Sequence, residues 1–286
     1  MKKIILWILA FFVTVSVAIY QRHTGPTYPV RGTAILGSKR ISFRLERSYE
    51  TGKDCLIKIP VSSPEIFGYI LYKRYKTRDH WTKIPMSQQD NELCGSLPWQ
   101  PPAGKLAYKV ILGDQNEEIF LNNNDPVIIR FKGSVPSVIL ILHIVIMFGA
   151  MLLSTRTGIE AIQKKTKLKK WVYWTVGFLF VGGFILGPVI QKFAFGSFWT
   201  GFPFGHDLTD NKTLIAMLGW LVALFAMRRP EKGRGWVIAA SVLLLAVFLI
   251  PHSLLGSELD YSQAEMVVSG KAMLSNASVR NTANVL

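Results

Sequence analysis

The chain has 286 residues, 50% of them hydrophobic, with a formal net charge of +15 and a mean hydropathy of +0.28. Soluble globular domains are less apolar and lack long unbroken apolar runs, so composition excludes that class. The basic residues form no stripe, since residues 21–135 hold 17 Lys and Arg against 11 Asp and Glu in a diffuse distribution. This distribution argues against nucleic-acid binding.

The first apolar run extends from Ile4 to Tyr20 and follows two lysines. Its length of about 17 residues just suffices to cross a bilayer. The sequence Ser16-Val17-Ala18 also fits a cleavage site, so residues 1–20 are either a transmembrane anchor or a cleaved signal peptide. We favour the anchor, and in both cases the segment that follows is delivered outside.

Residues 21–134 form a long insert in which short alternating segments are separated by clusters of Gly, Pro, Asn and Asp. Such spacing is typical of an antiparallel β-sandwich. The predicted strands are Ile41–Leu45, Leu56–Val61, Phe67–Tyr75, Leu106–Leu112 and Val127–Phe131.

Part of the insert resembles an immunoglobulin-like or fibronectin-type domain. The features that carry the likeness are a late tryptophan, Trp81, after the aromatic strand, and a Pro-Ala-Gly turn before Tyr108. The resemblance implies an external β-sandwich and licenses no activity, because it is one of fold alone.

Both cysteines, Cys55 and Cys94, lie in this insert, and an oxidising compartment would let them pair. The order Cys-Trp-Cys is that of an immunoglobulin domain, but Trp81 comes too late and the second cysteine too early. The disulfide therefore stays open, because the sequence gives no distance between the two Cα atoms.

Four more apolar runs of membrane length follow the insert: Val135–Leu153, Trp171–Ile190, Leu208–Met227 and Trp236–Leu255. Residues 135–255 are thus predicted to be a four-helix transmembrane domain, which completes a five-helix bundle with residues 1–20. Within the third run, Gly183 and Gly187 have the spacing that lets a second helix approach closely.

Two basic segments separate these runs and set the predicted orientation. Their residues are Arg156, Lys164, Lys165, Lys167, Lys169 and Lys170 in the first, and Arg228, Arg229, Lys232 and Arg234 in the second. Cytoplasmic loops carry such an excess of bases. The sequence therefore predicts an α+β protein of the bacterial inner membrane, surrounded by the lipid bilayer. Its N-terminus would be cytoplasmic, and its β-sandwich and external tail, 256–286, periplasmic.

Three histidines are predicted near the outer membrane face. His143 is the clear ionisable residue inside a predicted span, about 12 Å below the outer end of its run. His206 precedes the fourth run and His252 ends the fifth. Two histidines from different helices can bind a b-type haem, and a histidine with a carboxylate can take up the protons of a quinol.

Four acids, Asp207, Asp210, Glu258 and Asp260, are predicted at the same face, where they would orient the ligating rings or handle protons. A structural interpretation stands beside this one. His143 would then donate a single hydrogen bond to a neighbouring helix, and Asp207 and Asp210 would cap a helix. No haem- or metal-binding spacing accompanies the histidines, so the cofactor stays unassigned between haem b, quinone and none.

The segment Gln191–Asn211 is rich in aromatic residues and glycine, and its Gly and Pro residues exclude a regular helix. Its loop aromatics are predicted either to cap a lipid-like or quinone ligand or to anchor the loop at the membrane interface. These residues are Phe198, Trp199, Phe202 and Phe204.

Nucleotide-binding, serine-hydrolase and zinc-protease motifs are absent from the sequence. Our leading hypothesis is a non-catalytic or accessory subunit of a membrane complex, with other membrane proteins as partners and a ligand site at the outer face. The first alternative is a haem- or quinone-linked electron-transfer protein. The second is a periplasmic sensing or binding module anchored in the membrane.

Overall fold

The computed structural model describes residues 2–163, 168–251, 256 and 258–261 and combines helices with β-sheets, as the sequence predicted. The chain divides into two compact units. We call Met1–Tyr28 with Gly133–Ser257 the helical unit, and Pro29–Lys132 with Glu258–Leu286 the β unit.

The described part of the helical unit contains six α-helices. They are α1 (Lys2–Thr24), α2 (Ser137–Ile162), α3 (Leu168–Phe180), α4 (Gly187–Phe195), α5 (Leu208–Ala226) and α6 (Pro230–Leu249). A π-helical turn, Val181–Leu186, joins α3 to α4, so that the two helices continue as one segment.

Several of these helices are membrane-spanning by length and composition. Among the described residues, four segments are long and apolar enough: Ile4–Thr24, Ser137–Ile162, Leu168–Phe195 and Leu208–Ala226. The apolar part of α6, Gly233–Leu249, is shorter. The helical unit therefore supports contact with a lipid bilayer.

Two helix boundaries differ from those predicted. The sequence ended the second run at Leu153 and assigned Arg156 to a basic loop, but α2 continues to Ile162. The helix continues because Arg156 forms an ion pair with Glu160, one turn further along the same helix. This pair compensates the charge of Arg156 within the helix. Helix α6 begins earlier than predicted, at Pro230, since proline suits the first turn of a helix.

Glycines of the π-helical turn bring three helices close together. A Cβ atom on Gly182 would lie 2.5 Å from the sulfur of Met147 in α2, and one on Gly183 would lie 2.6 Å from Cγ2 of Thr213 in α5. A larger side chain at either position would force these neighbouring side chains to shift, which is the packing role expected of small residues between helices.

The described part of the β unit contains eleven strands. They are β1 (Val30–Leu36), β2 (Lys39–Leu45), β3 (Ser48–Glu50), β4 (Cys55–Pro60), β5 (Phe67–Arg74), β6 (Thr82–Pro85), β7 (Ser87–Gln89), β8 (Glu92–Leu97), β9 (Lys105–Gly113), β10 (Glu118–Phe120) and β11 (Val127–Lys132).

These strands form three open sheets. Strands β1 and β2 are a hairpin, β4-β8-β7 is a three-stranded sheet, and the largest sheet has the order β3-β11-β9-β5-β6 with β10 beside β9. Strands β3 and β11 pair in parallel. Inward side chains of all three sheets share one hydrophobic core, with Ile57, Ile70 and Tyr108 among its fully buried members.

The two cysteines are free thiols, so the disulfide that the sequence left open is not formed. Cys55 of β4 pairs with Leu97, and Cys94 of β8 pairs with Lys58. The cysteines are therefore three positions apart along the ladder, about 10 Å, and they lie on opposite faces of the sheet because side chains alternate. Both distance and direction exclude a disulfide in this geometry.

Candidate functional site

A cavity of about 190 Å³ lies among the helices of the helical unit. Its apolar walls come from α2, α4 and α6 and include Met147, Ile190, Phe195 and Phe248. Its polar lining residues are His143, Gln191, Asp207, Thr209, Asp210 and Thr213. Three of the residues that the sequence singled out, His143, Asp207 and Asp210, are thus brought together.

His143 is half-buried in α2, and its ring is held by the π-helical turn. Its Nδ1 lies 3.0 Å from the carbonyl oxygen of Gly182. A carbonyl can only accept, so Nδ1 carries the proton, and in the neutral ring Nε2 is left as an acceptor. Gly187 also lies near the ring: a Cβ atom there would be 3.8 Å from Cε1 of His143, an ordinary contact distance. This is the hydrogen bond that the structural interpretation of His143 expected, and it also presents one acceptor atom to a ligand.

Asp210, in the first turn of α5, organises the loop that precedes the helix. Its Oδ2 accepts hydrogen bonds from the backbone N–H groups of Thr200 at 2.7 Å and Gly201 at 3.0 Å. Gly201 is required because a Cβ atom there would lie 2.5 Å from Cβ of Asp210. The neighbouring Asn211 accepts from the N–H of Phe202 at 2.6 Å. These bonds fold residues 200–202 back onto the start of α5.

Asp207 is the N-cap of α5, as the structural interpretation expected. Its Oδ1 accepts from the backbone N–H of Thr209 at 2.8 Å, which satisfies one of the free donors of the first turn. Gln191 of α4 donates from Nε2 to the hydroxyl of Thr200 at 2.5 Å. The oxygens of the two acids are therefore engaged mainly by the protein itself.

Lys212 is a buried cation that was not among the predicted site residues. It is 3% exposed, and its Nζ donates to the carbonyl oxygen of Ile250 at 2.7 Å. Gln21 of α1 donates to the carbonyl oxygens of Phe248 and Ile250. Together the two side chains bond two carbonyls at the end of α6, those of Phe248 and Ile250, and a positive charge there also complements the helix dipole.

The four loop aromatics do not line the cavity of His143. Phe198, Phe202 and Phe204 are exposed, whereas Trp199 stacks on Phe184 with ring centroids 5.6 Å apart. The ring N–H of Trp199 donates to the carbonyl of Phe202 at 3.0 Å. The aromatic wall of the cavity comes instead from Phe195 and Phe248.

The remaining predicted site residues lie elsewhere. His206 is exposed and does not line the cavity, and His252 lies outside the described residues. Glu258 and Asp260 belong to the β unit and line a different cavity. Neither acid lines the cavity of His143, and their grouping with His143 stays a prediction.

Three residues that were not predicted as site residues, Gln191, Thr209 and Thr213, complete the polar lining. Two signals were present. Gln191 is a polar residue at the end of an apolar run, and Lys212 is a charged residue near the start of the next one. Polar and charged residues in a membrane span are candidates for a functional role.

The cavity is rich in hydrogen-bond acceptors. Nε2 of His143 accepts, and the hydroxyl of Thr213 donates its proton to the carbonyl of Thr209 at 2.9 Å, which leaves its oxygen as an acceptor. A ligand that donates hydrogen bonds fits this lining best. Among the described residues, no three His, Cys, Asp or Glu side chains are grouped so that they could hold a metal ion.

The volume restricts the ligand further. Sites for whole drug-sized molecules have about 300–1,000 Å³, so a cavity of about 190 Å³ suits water or the head of a larger molecule.

In comparisons with known proteins, no family model, no curated protein and no solved structure matches this chain.

Proposed function

We propose that this protein is a polytopic membrane protein, a non-catalytic accessory subunit of a membrane complex, whose His143 cavity binds the hydrogen-bond-donating head of a small ligand. One observation carries the ligand site: an acceptor-rich cavity among apolar helices, with Nδ1 of His143 committed to Gly182 and Nε2 left to accept. An ionisable residue inside a membrane span, here His143, is by default a candidate for a functional site.

The membrane arrangement in this proposal has five spans in the bacterial inner membrane. Helix α6 has 20 residues and is about 30 Å long, enough for the fifth span. The bases at 228–234 support a cytoplasmic connection between α5 and α6. The N-terminus is then cytoplasmic, and the β unit is periplasmic.

The β unit is proposed to be an immunoglobulin-like sandwich. Two features support this finer description. The strands divide into one group of β4, β8 and β7 and another that includes β5, β9 and β11, and both groups contribute to one core, as in sandwiches of that class.

The accessory role is supported by how the polar groups of the cavity are used. Asp207 and Asp210 accept hydrogen bonds from backbone N–H groups and so hold the loop and helix together. A general acid or base would need a free oxygen within reach of substrate. The exposed apolar residues of α2, such as Val138 and Ile141, offer a surface for lipid or for neighbouring subunits.

The second candidate function is quinone-linked electron transfer, favoured by the same acceptor on His143, because a quinol hydroxyl donates to such an atom. The haem alternative remains a prediction, and a porphyrin exceeds the cavity volume of about 190 Å³. An oxidised and a dithionite-reduced optical spectrum separate the two, since only haem gives a Soret band that shifts on reduction.

The ligand proposal is tested by mass spectrometry of small molecules that co-purify with the protein from native membranes. We expect one hydroxyl-bearing lipophilic compound that is retained by wild type and by His206→Ala but lost from His143→Phe. The same compound in equal amounts in all three proteins would overturn the ligand site.

The accessory role is tested separately, by purification in mild detergent after chemical cross-linking in the membrane. We expect defined membrane-protein partners at constant ratio. A monodisperse monomer without partners would exclude an accessory subunit while leaving the ligand site untouched.

A further inference from the structure

Residues Glu258–Tyr261 lie across the β unit and fill part of a cleft there. We call them the strap. The cleft lies between the turn Arg74–Asp79 that follows β5 and the start of β9 at Ala103–Lys105, and its cavity measures about 590 Å³. The backbone N–H of Leu259 donates to the carbonyl of Ala103 at 3.1 Å. The strap is thus held by the main chain as well as by two side chains.

The first side-chain pocket of the cleft receives a tyrosine. Tyr261 is 9% exposed, and its hydroxyl oxygen accepts from the backbone N–H of Lys105 at 2.9 Å. The same oxygen is 3.0 Å from the carbonyl of Lys105 and 3.1 Å from Oε1 of Gln100, either of which accepts its proton. A phenylalanine ring would leave a main-chain donor and acceptor of Lys105 without these partners.

The face of the tyrosine ring is recognised by Arg74. Its guanidinium lies 5.2 Å from the ring centroid of Tyr261, within the range of a cation–π contact. Asp79 holds that guanidinium in a two-pronged ion pair, with contacts of 2.6 and 2.9 Å. The arginine is therefore oriented by a neighbour in its own turn.

The second pocket receives a carboxylate. The two oxygens of Glu258 accept from Lys76 and from Lys105, each at 2.7 Å. Burial tends to raise the pKa of the Glu258 carboxyl, but the two lysines outweigh this effect and hold the pKa below its ordinary value. The two lysines therefore bind Glu258 in its charged, carboxylate form.

We propose that this cleft is a peptide-binding site for a segment with a glutamate and, three residues later, a tyrosine, and that the strap occupies it in cis. The occupant in trans is an acidic, tyrosine-bearing segment of a protein partner. Charge complementarity supports this choice, because four bases line the cleft: Arg74, Lys76, Arg78 and Lys105. The unfilled part of the cavity is large enough for residues that flank such a segment.

The strap must open before a partner can bind, and one of its two ion pairs is largely exposed. The side chains of Lys76 and Glu258 are 62% and 35% exposed, and ion pairs that exposed contribute little to stability. The strap competes chiefly through its covalent connection, which gives it a high effective concentration at the cleft. Disabling the strap should therefore raise the affinity for a partner segment.

The experiment uses the full-length protein in detergent and a fluorescein-labelled peptide with the sequence of residues 256–264. Binding is measured by fluorescence anisotropy for wild type and for the double variant Glu258→Gln/Tyr261→Ala. We expect the double variant to bind the peptide at least tenfold more tightly than wild type. A peptide that carries both changes should bind neither protein.

A receptor-side change provides the matched control. Adding Arg74→Gln to the double variant should weaken peptide binding at least fivefold, whereas adding Arg31→Gln, in strand β1, should leave it unchanged. If the double variant does not stay monodisperse, Glu258→Gln alone replaces it, with an expected gain of about threefold. Absence of binding to the disabled protein, or equal binding of the altered peptide, would overturn the proposal.

Discussion

The carboxylate of Asp210 accepts a hydrogen bond from the backbone N–H of Thr200 at 2.7 Å, across ten residues of chain. A second bond comes from Gly201 at 3.0 Å. Asp210 is 8% exposed, and the hydrogen bond from Gly201 is buried, so solvent cannot readily replace the carboxylate there. The acid that the sequence proposed as a proton-handling group therefore also determines the shape of the loop before α5.

Replacing Asp210 by alanine should destabilise this loop. Two backbone donors would lose their acceptor, at a cost of about 2–3 kcal/mol. We expect a lower melting temperature of the detergent-purified protein and faster proteolysis within residues 196–206. Asp210→Asn keeps one side-chain oxygen and should lie between alanine and wild type.

The matched control is His206→Ala, which changes an exposed residue four positions earlier. Its melting temperature and its rate of loop proteolysis should equal those of wild type. Equal stability of Asp210→Ala and wild type would mean that the loop keeps its shape without the carboxylate.

Local patterns in the sequence were sufficient to predict the main elements. Apolar runs located α1, α5, the long segment through α4 and the start of α2 to within a few residues, since each needs a membrane-length apolar stretch. Alternation located the central strands β5 and β9. His143 and Asp210 were identified because ionisable residues are conspicuous within or beside apolar segments of the sequence.

Features that depend on distant pairing could not be predicted. The strap joins Glu258 to Lys76, 182 residues apart, and nothing near either residue indicates the other. The π-helical turn at Val181–Leu186 depends on how its glycines meet α2 and α5. Arg156 was assigned to a loop because hydropathy counts its charge but not the partner that neutralises it.

The ion pair of Arg156 and Glu160 is buried in the helical unit, with side chains 4% and 8% exposed. Arg156 also lies over the ring of Trp7 in α1, 5.4 Å from its centroid. Removing one partner leaves an uncompensated buried charge, which costs about 3–5 kcal/mol. Glu160→Gln should therefore lower the melting temperature strongly.

A double variant, Arg156→Met/Glu160→Leu, tests whether the charge or the packing matters. Because no unpaired charge remains, it should recover most of the stability lost in Glu160→Gln. If the double variant melts as low as the single one, the pair stabilises the protein through packing rather than through charge compensation.

The two thiols of the β unit should be inert in the folded protein. Burial, with a smaller contribution from Glu46, raises the pKa of Cys55 to about 12, so little reactive thiolate forms at neutral pH. Cys94 is 4% exposed. We expect no labelling by a maleimide in native conditions and two labels per chain in denaturant without reductant. One label or none in denaturant would indicate oxidation or pairing of the thiols.

This inertness allows a single introduced cysteine to report on the strap. A nitroxide attached through Asp260→Cys should be immobile at neutral pH, when Glu258 is charged and holds both lysines. The folded-state pKa of Glu258 is lower than its ordinary value of about 4.5. The stabilisation is therefore complete above that ordinary value and is lost as the pH falls through the lowered one.

Paramagnetic resonance spectra at low salt should accordingly show a mobile label on acidification below about pH 4.5. High salt at neutral pH should also make the label more mobile, because salt screens the exposed ion pair of Lys76 and Glu258. Adding Glu258→Gln should make the label mobile at neutral pH as well and remove the transition, because the titrating group is gone. A transition that persists in this variant would assign the acid sensitivity to another carboxyl, with Asp79 the first to examine, since it orients Arg74 over Tyr261.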